Sequence, residues 1–470
     1  MKRSSSRAVP SFSCCTKALP PPRTLVPLAM PFALGLVLLL VPVRRAEAVP
    51  AFAEQTGLAC QACHVGGFGP QLTPFGREFK LDGYTMRSNA FNLPFSAMAV
   101  ASVTHTRKDQ VPPPDGLDRN DNLTFDQGSL FVAGGIGNHL GGFAQITYDG
   151  VAKAWSWDNL DVRAVTRGKL FGADAVYGLT LNNSPTVQDV WNTTPAWGFP
   201  YTDTAVSGTP AAAPLIDGAL AQNTLGLSAY AWVGQKFYVE AGAYTSPSAG
   251  TLNWLGADPG DPGDIRGLAP YGRLALQRQA GGGTLAVGAF ALEAGINPGR
   301  DRSSGLRDRY TDLGFDASWQ KALASGDTIS TQLRYVHETS NLQASCALAL
   351  VGDGITPDCA HDHLSEWRGD IGYAWHNGID ATLGAFATSG TRNTGLYEGD
   401  GKPDSDGVMA EVDYTPWGSG NSPLGPRANM RLGLQYTAYG KFDGARHNYD
   451  GSGSNASDNN ALRLYTWLAF

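Results

Sequence analysis

The chain has 470 residues, of which 42% are hydrophobic, 10% aromatic and only 16% charged, with 58 Gly and a formal net charge of −7. The negative balance leaves no basic face to neutralise phosphates, which excludes a nucleic-acid partner. Low charge with abundant glycine and aromatics, and no apolar run of spanning length beyond the N-terminus, fits neither a soluble enzyme nor a helical membrane protein but suits a transmembrane β-barrel.

Residues 1–48 read as a secretory signal: Lys2, Arg3, Arg7, Lys17 and Arg23 are basic, an apolar core runs from Leu25 to Val43, and Ala46-Glu47-Ala48 is an A-x-A cleavage pattern. Cys14 and Cys15 leave with it. Behind it stands Cys60-Gln61-Ala62-Cys63-His64, the spacing of a c-type heme attachment site. Two thiols three positions apart can form thioethers with the two vinyl groups of one heme, and the adjoining His64 is placed to be the proximal iron ligand. The blander readings are a disulfide or half of a zinc site, but no second Cys/His pair stands nearby to complete a tetrahedron.

The attachment site sits in a segment, residues 49–92, that is rich in Gly and Pro and too small to bury a core of its own. It therefore leans on the larger remainder of the chain. From about residue 93 to 470 the chain is a string of segments of about ten residues that alternate apolar with polar or small side chains, such as Leu313, Phe315, Ala317 and Trp319 against Asp312, Gly314, Asp316 and Ser318. About sixteen such segments are expected, starting near 93, 126, 140, 156, 173, 221, 236, 269, 283, 309, 325, 363, 379, 405, 428 and 460.

Alternation alone does not separate a soluble sandwich from a barrel. Connection lengths do, because tight turns (Gly137-Asn138-His139, Gly234-Gln235, Asn377-Gly378) alternate with long polar links near 183–220, 246–268 and 339–362. That asymmetry of short periplasmic turns and long extracellular loops predicts an all-β, antiparallel outer-membrane barrel, with a C-terminal strand ending on the aromatic Phe470. A sixteen-stranded barrel has room for a small plug, and the heme segment is the expected one. On this register Asp161, Arg163, Arg273, Arg334, Arg368, Asp370, Glu411, Asp413, Arg431 and Arg463 face inward, either pairing along a wet lumen or clamping heme propionates or the plug.

Among individual residues, Met86 is a candidate distal iron ligand, with His105 on the first strand and an open or water-bound site as alternatives. Arg77 and Lys80 either pair with heme propionates or form a solvated helix face, while Phe68, Phe75, Phe79 and Tyr84 pack on the macrocycle or the wall. Cys346 and Cys359, in a predicted outer loop, form a disulfide worth roughly 3 kcal/mol; beside them His361, Asp362 and His363 offer a metal-capture alternative. Acidic stretches at Asp258, Asp261 and Asp264 and at Asp400, Asp404 and Asp406 lack a complete calcium-loop pattern and read as solvated loops.

Val49 to Gly57, the CxxCH pentapeptide, and Pro70-Gln71-Leu72-Thr73-Pro74-Phe75-Gly76-Arg77-Glu78-Phe79-Lys80-Leu81-Asp82-Gly83-Tyr84-Thr85 together resemble the heme segment of the fused monoheme cytochrome c and porin family. The resemblance covers about 36 residues in detail and the barrel only in plan. It implies one covalent heme c, a porin-like barrel, and the activity of that family's outer-membrane iron(II) oxidases, in which extracellular Fe(II) gives an electron to the heme and a periplasmic carrier, such as a soluble cytochrome, takes it. Two departures stand out: Glu54 where the family usually has a basic residue, and Gly69 as an additional glycine.

Two classes of function are consistent with these residues. The first is an electron conduit, which keeps insoluble Fe(III) outside the cell, or its reverse, outward transfer to an external acceptor. The second is a porin for small solutes in which the heme segment is a structural or sensory plug. No nucleophile elbow, P-loop or metalloprotease motif points to a hydrolase or transferase.

Overall fold

A computed structural model of the chain describes residues 50–88, 94–114, 116–194, 202, 204–352, 361–376, 378–397, 399–420, 422–423 and 428–470. The expected signal peptide, Cys359 and Asn377 lie outside the described residues. Sixteen long strands form one sheet: β1 Phe95–Thr106, β2 Asn122–Ile136, β3 Leu140–Asp149, β4 Ala154–Leu170, β5 Ala173–Asn182, β6 Leu225–Val233, β7 Phe237–Thr245, β8 Ala269–Ala280, β9 Gly283–Asn297, β10 Asp308–Ala322, β11 Thr328–Asn341, β12 Asp362–Trp375, β13 Ile379–Gly390, β14 Ser405–Tyr414, β15 Asn429–Lys441 and β16 Ala461–Ala469. Each starts within four residues of its expected position.

Every strand pairs antiparallel with its neighbours in the chain, and β1 pairs with both β2 and β16, so the sheet closes on itself. Closure removes the free edges that a bilayer does not tolerate. A two-residue stretch, Asp264–Ile265, adds to the rim beside β9. Among the described residues no helix is long and apolar enough to cross a membrane; strands are the spanning elements.

The period-2 pattern resolves as expected. Leu130, Val132, Leu274, Phe315, Leu383 and Leu434 stand exposed on the outer face, where lipid belongs. Of the polar positions expected inside, Asp161, Arg163, Arg273, Arg334, Glu411, Asp413, Arg431 and Arg463 are buried, and Arg368 and Asp370 are partly so. The turns close on left-handed residues as hairpins need, with Gly137 at φ +62, Gly234 at +59 and Gln235 at +54.

Residues 50–88 lie in the lumen, and the pairing of β1 and β16 puts their end of the barrel beside the chain's last residue: Ala97 and Phe470 exchange backbone hydrogen bonds of 2.8 and 3.0 Å. The long link between β5 and β6 also turns inward instead of standing away from the rim. Leu215, Ile216 and Leu220 join Tyr244, Tyr271 and Phe290 in a buried cluster, and Asp217 is clamped by Arg334 at 2.9 Å and Arg368 at 2.9 Å. Thus two separate pieces of chain, the N-terminal segment and this link, fill the barrel.

Candidate functional site: the CxxCH segment inside the barrel

The segment folds as two short helices, α1 Pro50–Thr56 and α2 Pro74–Leu81, bracketing the CxxCH turn. Gly57, at φ +70, ends α1 in the left-handed conformation that suits glycine. Cys60–Ala62 then make one turn of 3-10 helix, closed by His64 N–H donating to Cys60 O at 2.9 Å.

Thr73 fixes this turn against α2 three times over. It caps α2 by accepting from Gly76 N–H at 3.1 Å, donates its hydroxyl to Ala62 O at 2.6 Å, and donates its backbone N–H to Cys63 O at 2.9 Å. A side chain at Gly76 would put a Cβ 2.3 Å from Cys63 O, so only glycine lets the helix approach this closely.

The segment is held by the barrel rather than by a core of its own. Buried Gln55 donates to Tyr84 O and Met86 O, both at 2.7 Å, and accepts from Gly135 N–H on β2 at 2.8 Å. Arg77 reaches Gln277 at 3.2 Å on β8, Gln320 at 3.1 Å on β10 and Leu72 O at 2.9 Å. Tyr84 donates its hydroxyl to Asp161 at 2.7 Å, Tyr230 donates to Leu81 O at 2.6 Å, and Asn429 donates to Gly67 O at 2.8 Å. Gly69, the additional glycine, passes Arg431 so closely that a Cβ there would meet the guanidinium at 3.1 Å. Arg77 is thus an anchor to the wall, not a solvated helix face.

A cavity of about 210 Å³ opens beside His64 and Cys63. Phe52, Phe79 and Tyr84 border it from the segment, with Phe52 stacked on Tyr84 at 5.2 Å. Met98, Phe131, Phe143 and Trp467 border it from the wall, and Phe68 packs on Trp467 at 4.8 Å. A second cavity of about 90 Å³, which shares Phe52, Cys63 and His64 with the first, borders Cys60 and Leu58. Val187 and Asn192 of the inward link complete the boundary, where Asn192 donates to Pro70 O and Lys80 donates to Val187 O at 2.6 Å and Asp189 O at 3.1 Å.

The electrostatics suit a heme. Cys60 and Cys63 are free thiols, not a disulfide. Burial pushes both thiols up, Cys63 to about 11, so neither resembles the low-pKa thiolate of a catalytic cysteine. Burial lowers His64 to about 4, opposed by the backbone of Gly69 and reinforced by Arg431, which keeps the imidazole neutral as a metal ligand must be. His64 Nδ1 is buried and makes no hydrogen bond of normal geometry. Among the described residues no group of three or more His, Cys, Asp or Glu is brought together in a way that could hold a metal ion. Two free thiols and a neutral histidine on an aromatic-lined cavity are a donor set that fits heme c.

Several expected residues stand elsewhere. Met86 is 40% exposed and does not border the cavity, because Gln55 ties its backbone to the segment's outer side. The side chain of His105 is 54% exposed and pairs with Asp121 at 2.7 Å, since strand alternation puts it on the outer face between inward Thr104 and Thr106. Lys80 does border the cavity; burial lowers it to about 8, opposed by Asp161. Cys346 is disulfide-bonded, and Cys359 lies outside the described residues.

The wall residues Met98, Phe131 and Trp467 were missed by sequence reading. Their signal is an apolar side chain at a lumen-facing position of a strand, repeated on β1, β2 and β16.

The closed ring with its apolar outside and polar inside defines a porin-like transmembrane β-barrel, an outer-membrane architecture. No protein-family model and no curated protein matches the chain. Solved structures similar to it include in-vitro folded OmpT, an outer membrane protein of Vibrio cholerae, at 11% identity over 82% of this chain and 99% of that one, with a TM-score of 0.40. The anion-selective porin from Comamonas acidovorans is 12% identical over 80% and 98%, with a TM-score of 0.42. The outer membrane channel DcaP of Acinetobacter baumannii is 13% identical over 82% and 99%, with a TM-score of 0.43.

Proposed function

We propose that this barrel carries one covalent heme c on Cys60 and Cys63, with His64 as proximal ligand, and serves to move single electrons across the outer membrane. When bound, heme supplies reversible one-electron chemistry at iron. The observation that carries the reading is the position of the cavity: residues of the N-terminal segment, the wall and the inward link meet at one place inside the barrel.

The chain's own residues then have distinct tasks. Thr73 and Gly76 hold the two thiols and His64 in one rigid turn. The aromatic residues exclude water from the cavity and so favour a low local dielectric. Lys80 borders the cavity and ties the segment to the inward link through Val187 O and Asp189 O. The donor we favour is extracellular Fe(II), with a periplasmic carrier as acceptor, because oxidation at the surface leaves insoluble Fe(III) outside. The test is to add Fe(II) to the purified ferric protein over a range of pH and follow the Soret band. Reduction is expected; a band that stays ferric throughout rejects iron as donor. Reduction by a periplasmic carrier with reoxidation by external acceptors would reverse the direction.

A second reading, a solute porin with the heme segment as plug, is supported by the barrel architecture and by the charged wall around Arg334 and Arg368. It predicts conductance in planar bilayers that persists or rises when residues 50–88 are deleted. An electrically silent barrel rejects it.

A further inference from the structure

We infer that Met98, on the wall of the barrel, is the distal thioether ligand of the heme carried by Cys60, Cys63 and His64; this rests on the heme reading above. Met98 and His64 border the same cavity, yet belong to different parts of the fold. Strand alternation on β1 turns Met98 inward with Ser96 and Val100, and it is only 5% exposed. Phe131 and Trp467 pack around it in one buried cluster, which restricts a side chain that is otherwise flexible.

Of the polar side chains on the cavity, Lys80 Nζ donates to Val187 O and Asp189 O, Tyr84 OH donates to Asp161, and Asn192 is fixed by its Nδ2 on Pro70 O, while the thioether is the soft donor among them. Met98 Sδ accepts one hydrogen bond, from Trp467 Nε1 at 3.3 Å, and keeps a second lone pair. That bond also orients the sulfur and withdraws density from it. A neutral thioether ligand favours ferrous over ferric iron and raises the potential, which suits a site that accepts an electron from outside. Met86, the methionine nearer in sequence, is excluded by its exposure.

The arrangement has a mechanical side. With one axial ligand in the segment and the other on β1, a bound heme would cross-link plug and wall, so the segment would be fixed by coordination as well as by hydrogen bonds.

The experiment uses the full-length, heme-loaded protein. Met98→Leu keeps nearly the same volume and removes only the sulfur. It is expected to retain covalent heme by in-gel heme stain, to lose the far-red thioether-to-ferric charge-transfer band, to shift the midpoint potential down, and to bind carbon monoxide when ferrous. Met98→His should restore a six-coordinate low-spin spectrum at a still lower potential, which distinguishes ligand loss from misfolding. Trp467→Phe should keep the band and shift the potential. If the unsubstituted protein carries heme but lacks the thioether band, or if Met98→Leu leaves band and potential unchanged, or if Met86→Leu abolishes the band instead, the assignment of Met98 is overturned while the heme reading stands. Absence of covalent heme in the unsubstituted protein overturns both.

Discussion

The two pieces of chain inside the barrel are fastened with different balances of shape and charge. The CxxCH segment combines neutral hydrogen bonds and glycines that permit close approach, as at Gln55, Asn429 and Gly69, with cations that reach neutral acceptors, as Arg77 does on the wall and Lys80 on the link. The inward link between β5 and β6 is held by charge: Asp217 on Arg334 and Arg368, and Asp189, whose carboxylate accepts from Thr193 and Thr194 and lies 3.7 Å from Arg273. Burial alone would raise both acids, but the neighbouring arginines outweigh it and hold both below the usual carboxylate range. The difference teaches that the link depends on paired carboxylates and guanidiniums, whereas the segment depends more on hydrogen bonds and close backbone approach.

Removing the attachment chemistry has the largest expected effect. On the heme reading, replacing Cys60 and Cys63 by Ala is expected to abolish covalent heme, while the barrel still assembles as judged by heat-modifiable migration on a gel. Loss of the whole protein would instead make heme a requirement for folding. Next, Asp217→Ala removes a carboxylate shared by Arg334 and Arg368 and leaves Glu366 as their remaining partner, so the cost is expected to be smaller than the about 3–5 kcal/mol of a fully broken buried pair. The link should leave the lumen, seen as new protease sites between residues 205 and 220 and as increased bilayer conductance. A variant as resistant and as silent as the parent would show that the apolar contacts of Leu215, Ile216 and Leu220 suffice.

Gln55→Leu is smaller in scope. It strands Tyr84 O, Met86 O and Gly135 N–H, each about 1–3 kcal/mol if no water replaces the bond. Loosening should be confined to the segment, measured as faster hydrogen exchange over residues 50–88 with the strands unchanged. The smallest effect is in pH. In the heme-free double Cys variant, His64 falls from an unfolded value of about 6.5 to about 4 in the fold. A base depressed by folding destabilises the folded state as it protonates, so the segment loosens as pH drops through that window. Asp217 is depressed, so the stability it gives the link is present above its unfolded value of about 3.9 and is lost only below it. Acid titration followed by hydrogen exchange should therefore free the segment before the link; release in the opposite order would contradict the roles given to His64 and Asp217.

Much of the fold was legible in the amino-acid sequence, and the limits are physical. The strands were legible because lipid outside and water inside impose a strict alternation, and because long and short connections alternate. The turn carrying Cys60, Cys63 and His64 was legible as a motif, because a CxxCH spacing is the one that heme attachment would need. The inward course of the described parts of the link between β5 and β6 was not: a polar link has the same composition whether it stands in water or lies in a wet lumen. Nor was the neighbourhood of Met98, since its meeting with Trp467 depends on ring closure between strands more than 350 residues apart, whereas sequence proximity favoured Met86. Lys80 and Arg77 differ in a similar way, adjacent turns of one short helix that end at the cavity and at the far wall respectively.

Met98 lies on the first strand, and Trp467 and Ala469 lie on the last. The cavity is therefore bounded by both ends of the barrel-forming chain, across the seam at which the ring shuts, and a barrel left open at that seam would lack this wall.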